Sequence, residues 1–506
     1  MSLQPKNLSC TPVGAILAFA ALVTVFLAYA ALWWSMPQLP FLDFPNHLAR
    51  ATIMSDLLFS GGQQFGDEFS LHLQAVPYVL GDLALAALVW LFSPVTAGRI
   101  WVILSFASLP IAVAVFAKLQ RFRAPAITIA VLLSFYLATD WFFMSGFMSF
   151  RLAAAFALVA IGLVAHFLDE GPSLPGWAAY SGLLVAAYLT HLTPLLFVTV
   201  AAGALVGLKV LRRQLRVATA VLIGAPLAAL WVFYLASKIT VMDGAVVRGG
   251  FNEKIIRLVM LFSRFDFVTE AVLATCFGLL CLLLSRRVLR SLAADRVLEY
   301  IALAAAFVAV YAVLPKIRGT MFEIDVRALP YAWIFAMFAA LAIWEANPSD
   351  HTRLFTSAAA LLAILNLSVI AINLRPHDAA LRDLRAVGHC VPPHGRVRPL
   401  NTIRAENSIQ PYAHAGSWAT IDRQALTPYL FGGDANDSMT YFRYRHRPPA
   451  PWMFKCTLGD CKIDWSSLLR DYDFVLVTGA EGRSAVKVPT EVIATSGPAA
   501  LLKFSQ

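Results

Sequence analysis

Charge is what this sequence has least of. Only 14% of its 506 residues are Asp, Glu, Lys or Arg, where soluble globular proteins carry about 25%. Apolar residues make up 59%, and the mean hydropathy is +0.69. The deficit excludes an ordinary soluble domain and implies a chain that crosses a membrane many times. Other absences narrow the chemistry. No GxxxxGK[ST] loop is present for ATP, and no HExxH or GxSxG for hydrolysis. No unit of 20–50 residues recurs as a solenoid would require. The six cysteines lack zinc spacing. Cys10, Cys276 and Cys281 lie in or near apolar runs; Cys390, Cys456 and Cys461 lie in the polar C-terminal region. "CTLGDC" closes a small disulfide loop if that region faces an oxidising compartment, and holds two thiols otherwise.

What is present is a series of apolar runs. The first, "GAILAFAALVTVFLAYAALWW", is too long for a signal-peptide core and has no small-residue cleavage site after it, so it reads as a retained span. Further spans are expected near 97–117, 126–139, 151–168, 176–190, 193–208, 217–236, 268–284, 297–314, 329–345 and 354–372, which makes eleven. The net charge of +10 does not point to nucleic acid, because Lys and Arg sit in short clusters between the runs, the pattern that sets topology. The clusters "KLQRFR", "KVLRRQLR" and "SRRVLR" all fall on the cytoplasmic side if the N-terminus is inside and 76–92 lies along the membrane surface instead of crossing. The architecture expected is an all-α polytopic membrane domain, 1–372, with a long first outer loop at 36–96. A small soluble α+β domain, 373–506, follows on the outer face, where "DYDFVLVTG" and "EVIATSGPAALLKF" look like strands.

This topology gathers ionisable residues on one side of the membrane. In "PQLPFLDFPNHLAR", Pro45 suits the first turn of a helix running to about Phe59, and Ala49, Ile53 and Leu57 form one stripe of it along the membrane surface. Asp43 stands just before that helix, and His47 and Arg50 share a face. Asp43 is a capping residue or a functional acid; Arg50 snorkels to a headgroup or meets a ligand. Asp140 follows another span directly, in "TDWFFMSGFMSFR" with Arg151, and is a cap, an interface anchor or a second functional acid. His191 sits at a hairpin turn, "THLTP". Lys316, Arg318 and Arg327 lie in "LPKIRGTMFEIDVRALP". Bases on the outer side run against the usual bias, and either phosphate binding or lipid headgroups account for them.

Together, an acid after the first span, a long first outer loop, a second acid in "SFYLATD" and a polar domain after the last span resemble the GT-C superfamily of integral-membrane glycosyltransferases. More narrowly, "DFPNHLAR", "SGFMSFR" and "THLTPLLF" resemble a group of bacterial membrane proteins. The resemblance implies transfer of a sugar from a polyprenyl-phosphate donor to a glycan or lipid acceptor on the outer face of the inner membrane. It gives Asp43 the place of a general base or acceptor-orienting group and Asp140 that of an acid supporting the acceptor or a cation; with Asp43 as base and Asp140 as its partner, an in-line displacement inverts the anomeric carbon. His47, Arg50, Arg151, His191, Lys316, Arg318 and Arg327 are the candidates for donor or phosphate binding. Some members of the superfamily use a divalent cation such as Mg or Mn and others do not; here it would sit on Asp43 and Asp140. No equivalent of the oligosaccharyltransferase "WWDYG" motif is present, which argues against transfer to protein. Two other classes fit a polytopic chain: a transporter or flippase of a lipid-linked or anionic substrate, and a non-catalytic scaffold.

Overall fold

A computed structural model of the chain describes residues 12–237, 245–262, 264–286, 295–319, 321–346, 351–401, 409–428, 430, 442–445, 465–479 and 482–505. Cys10, Cys456 and Cys461, and with them the "CTLGDC" disulfide, lie outside the described residues.

The apolar runs become helices: α1 Pro12–Trp34, α2 Phe44–Phe59, α3 Val79–Leu91, α4 Pro94–Leu119, α5 Ala124–Ala138, α6 Trp141–Met144, α7 Met148–Glu170, α8 Leu174–Thr190, α9 Leu192–Leu211, α10 Val217–Ala236, α11 Phe251–Arg257, α12 Phe267–Leu284, α13 Asp295–Val313, α14 Leu329–Ala346 and α15 Thr352–Gly388. Proline stands in the first turn of α2, α4, α5 and α8, where its missing N–H leaves no bond unmade. Ser93, Ser173 and Asp266 accept the N3 amides of α4, α8 and α12. Among the described residues eight helices are long and apolar enough to cross a membrane: α4, α7, α9, α10, α12, α13, α14 with the turn before it, and α15. The other three expected spans are also helices, α1, α5 and α8. The region 76–92 forms the 13-residue α3, about 20 Å long and short of the roughly 30 Å hydrocarbon core.

Packing ranks these helices. α4 packs on α5 and α7, α7 on α8 and α9, and α13 on α9 and α14. α14 is central, with 89% of its apolar window buried against 17% for α10, which leaves most of its surface to lipid. α15 runs through positions 372 and 373, the expected domain boundary, without a break. Its first part packs in the main apolar core through Phe355, Leu362 and Ile370. Its last turns present Leu381, Leu384 and Val387 to a four-stranded sheet. That sheet has the order β4 (Val397–Asn401), β6 (Phe474–Thr478), β8 (Ala499–Phe504), β7 (Thr490–Ser496). β4 and β6 are parallel, with Leu400 opposite Val477; the other pairs are antiparallel. Both stretches expected as strands are strands.

The C-terminal region docks on the first loop. β1 (Phe69–Leu71) pairs antiparallel with β5 (Phe442–Tyr444), with Ser70 opposite Arg443. A short helix, α16 (Ser417–Arg423), packs on α2. The amphipathic stripe of α2 predicts a helix lying on the membrane surface. Instead Asn46, Leu48, Ala49, Arg50, Ile53 and Met54 are all buried, because α3 covers one side and α16 another.

One polar knot ties the membrane helices. Arg264 is fully buried. It forks onto Glu270 of α12 at 2.8–3.1 Å, onto the Thr139 carbonyl at 2.6 Å and onto Asn366 of α15 at 2.8 Å. Asn366 donates in turn to Tyr29 of α1 and to Thr139. Four helices thus share one charge whose hydrogen bonds they satisfy. Glu270→Ala leaves the guanidinium buried without its carboxylate, and a loss of about 3–5 kcal/mol is expected. Thermal unfolding of the purified protein in detergent measures it; a variant melting at the wild-type temperature would remove the knot from the stability account.

Candidate active site

The site begins where α2 begins. Asp43 occupies the N-cap position, yet its carboxylate makes no capping bond. Its backbone does that work: the carbonyl accepts from Asn46 N and His47 N at 3.1 and 3.2 Å, and the amide donates to the Ser145 carbonyl at 3.0 Å. The close approach needs glycine across from it. Gly146 has φ +87°, and a Cβ there would stand 2.7 Å from Phe44 N. "SGF" and "LDFPN" therefore interlock. The Asp43 carboxylate, 18% exposed, lies 3.3 Å from Nε2 of His414 in the C-terminal region.

One turn on, Arg50 is fully buried. Its Nη2 donates to Asp82 of α3 at 2.6 Å and to Nδ1 of His47 at 2.9 Å. The headgroup reading of Arg50 is thereby overturned, since a snorkelling side chain keeps its charge in water. Gly81 lets α3 come in close, for a Cβ there would stand 2.7 Å from Ser149 Oγ.

The hairpin His191 meets the same cluster from the other side. Its Nε2 is 2.7 Å from Nη1 of Arg327 and 3.2 Å from the Tyr78 hydroxyl. Tyr78 holds φ +77° at the start of α3, a strained position for a non-glycine residue of the kind that gathers at functional sites. Arg327 also donates to the Phe322 carbonyl and stacks over Phe147 and Phe150, 5.5 Å from each ring. Its neighbour Asp325 is turned away, onto Arg257 at 2.9 Å and Lys254 at 3.3 Å. Among the described residues no carboxylate forms an ion pair with Arg327. Asp43 nonetheless acts on it through space, as it does on His47.

Asp43, His47, Arg50, His191 and Arg327 are therefore brought together. Asp140 and Arg151 form a pair of their own. Asp140 is 2% exposed, ion-paired to Arg151 and capping α6 through the Phe143 amide at 3.1 Å. Arg151 is fully buried and also donates to the Leu137 carbonyl. The capping reading of Asp140 describes these contacts. Lys316 and Arg318 lie on or beside a ribbon formed by β2 (Val246–Val247) and β3 (Ile317–Arg318), where Lys316 pairs with Glu253 at 2.7 Å. The donor set does not fit a cation shared by Asp43 and Asp140, because Asp140 is committed to a guanidinium. Among the described residues no three His, Cys, Asp or Glu side chains gather as a metal site.

Sequence reasoning missed Tyr78, Asp82 and His414. Asp82 stood out only as a charge in an apolar run; Tyr78 and His414 carried no local pattern.

No protein-family model matches the chain, and no curated protein matches it. A solved structure does: ArnT from Cupriavidus metallidurans, crystallised with undecaprenyl phosphate bound. It superimposes with a TM-score of 0.53 over 95% of this chain and 97% of that one, at 13% identity. The chain has the ArnT fold. The expected class, a mostly helical polytopic chain with a small strand-containing region at its C-terminal end, is borne out by a fold shared over nearly the whole length of both proteins. At 13% identity the ArnT fold is what the two share, and the residues that do chemistry here are argued from this chain.

The site also has an acid-side liability. Burial and Arg50 push the His47 imidazole down to about 3, and burial and Arg327 push His191 well below its usual value. Both are neutral when folded and take up protons on unfolding. For His47 the unfolded state binds more protons between about pH 6.5 and about pH 3, so its contribution is complete above that window and falls as pH drops through it. Melting temperature is expected to decline from pH 7 to pH 4, and His47→Gln to flatten that decline. Parallel curves for the two proteins would count against a neutral buried His47.

Proposed function

We propose that this protein is a glycosyltransferase of the bacterial inner membrane. It takes a sugar from a polyprenyl-phosphate donor and passes it to a hydroxyl of a glycan or lipid acceptor on the outer face. One observation carries the reading: a partly exposed carboxylate that its own helix cap does not use lies within electrostatic reach of a buried guanidinium that has no carboxylate ion-pair partner among the described residues. A phosphate is the ligand such a guanidinium lacks. The undecaprenyl phosphate that ArnT carries in its crystal structure is of the class of lipid phosphate that such a donor releases.

In this mechanism Asp43 takes the proton from the acceptor hydroxyl. The hydroxyl oxygen bonds to the anomeric carbon as the carbon–oxygen bond to phosphate breaks. Polyprenyl phosphate leaves with the electron pair, and Arg327 stabilises its growing negative charge. Displacement in line inverts the anomeric centre. Tyr78 and His191 hold Arg327; Asp82 and His47 hold Arg50, and the Asp140–Arg151 pair fixes the α6–α7 turn against Asp43. No step requires a metal.

The test is transfer from a panel of polyprenyl-phosphate sugars by wild type, Asp43→Asn and Arg327→Gln. Asp43→Asn is expected to lower kcat by about 100-fold or more. Arg327→Gln is expected to lower it as well, and to weaken inhibition by free polyprenyl phosphate. Wild-type rates in the Asp43 variant would refute the base assignment. Movement of donor lipid across vesicles without any transfer would favour a carrier.

A further inference from the structure

The acid assigned as base is not completed by the membrane domain. His414 belongs to the C-terminal region, 371 positions along the chain from Asp43, yet it is 7% exposed and faces Asp43 directly. Its Nε2 lies 3.3 Å from Asp43 Oδ1, and its Nδ1 lies 2.8 Å from Nδ2 of Asn46, in the first turn of α2. The other end of the Asn46 amide, Oδ1, accepts from the hydroxyl of Ser417. His414 and Ser417 sit in the same short segment, three residues apart.

The direction of these bonds follows from chemistry. An ionised carboxylate only accepts, so the 3.3 Å approach to Asp43 favours the hydrogen on Nε2 of His414. In a neutral imidazole Nδ1 is then the acceptor, which requires Asn46 to present its NH2 group there. The amide oxygen must therefore face Ser417, whose hydroxyl donates. Every member has one consistent role: Ser417 to Asn46, Asn46 to His414, His414 to Asp43. Burial of Asn46, His414 and Ser417 makes a reversed or broken link costly.

We infer that the C-terminal domain supplies a positioning residue to the active site: His414, oriented by Asn46 and Ser417, holds Asp43 through Oδ1 and turns the other carboxylate oxygen to the acceptor hydroxyl. The inference rests on the proposed role of Asp43. The domain's docking fits the task. Gln38 N donates to Asp378 at 2.9 Å, and Arg385 reaches Gln38 while pairing with Asp422 at 2.6 Å and stacking 4.3 Å over Trp418. These contacts set α16 and the segment before it against α2. The groups that act electrostatically with Asp43 are His414, His47 and Arg327.

The test uses the full-length protein with His414→Ala and His414→Gln, whose amide can restore a donor. For transfer, His414→Ala is expected to lower kcat by about 10- to 100-fold with the donor KM nearly unchanged, as for outer partners that orient functional groups. His414→Gln is expected to recover most of the rate. If Asp43→Asn is inactive while His414→Ala keeps the wild-type kcat, the inference fails and the base assignment stands; if Asp43→Asn is active, the reading beneath both fails. A second measurement needs no substrate. Spectra of the protein labelled with 15N-histidine, assigned by difference with His414→Gln, are expected to report the Nε2–H form of His414 and a shift of its resonance in Asp43→Asn. The Nδ1–H form, or no response to Asp43→Asn, would overturn the inference.

Discussion

A guanidinium inside an apolar bundle is tolerated only when its charge is met, and that constraint organises this protein. Arg50, Arg151, Arg257, Arg264 and Arg327 are all buried. Four of them are answered by acids: Asp82, Asp140, Glu323 with Asp325, and Glu270. Each pairing joins separate helices or a helix to a loop, so the charges act as rivets in a core whose apolar contacts alone would permit sliding. Arg327 breaks the pattern. It is met by an imidazole, a carbonyl and two aromatic faces, none of which neutralises it. Among the described residues Arg327 forms no ion pair with a carboxylate, and in the proposed function it is the cation left for the donor phosphate, with Asp43 as the proton acceptor.

The neighbouring acids protect that arrangement. Asp325 lies two residues from Arg327 and would quench it, but Arg257 and Lys254 draw it away. Asp140 is held by Arg151 at the turn whose Gly146 backs onto Asp43. The structure thus separates two kinds of acid that look alike in sequence. Those buried at a few per cent exposure are structural partners, whereas Asp43 retains contact with its surroundings.

The C-terminal domain belongs to the same design. α15 leaves the main apolar core and becomes the helix on which the sheet packs, so the helical bundle and the C-terminal sheet share one element. β1 and β5 add a second tie, and α16 a third. α2 is thus enclosed between these parts, and Asp43 just before it meets His414 of the C-terminal region.

The helices were legible because a span of apolar residues admits only one local solution: with no water to satisfy the backbone, it must satisfy itself. The extent of α2 was legible from Pro45, and five of the nine candidate residues gather at one place, because helix ends on one side of a bundle have few places to go. What the sequence by itself determined is therefore where the long apolar helices lie, their order and the class of fold. It left open whether Asp43 or Asp140 was the cap, whether Arg50 faced a headgroup or a carboxylate, and which base of "LPKIRGTMFEIDVRALP" entered the site. Those were decided by tertiary structure, since each depends on a partner far along the chain: Asp82 for Arg50, His191 for Arg327, His414 for Asp43. Apolar periodicity is a property of neighbours in sequence and can be read there. The pairing of buried charges is a property of neighbours in space, and it exists only once the helices have packed.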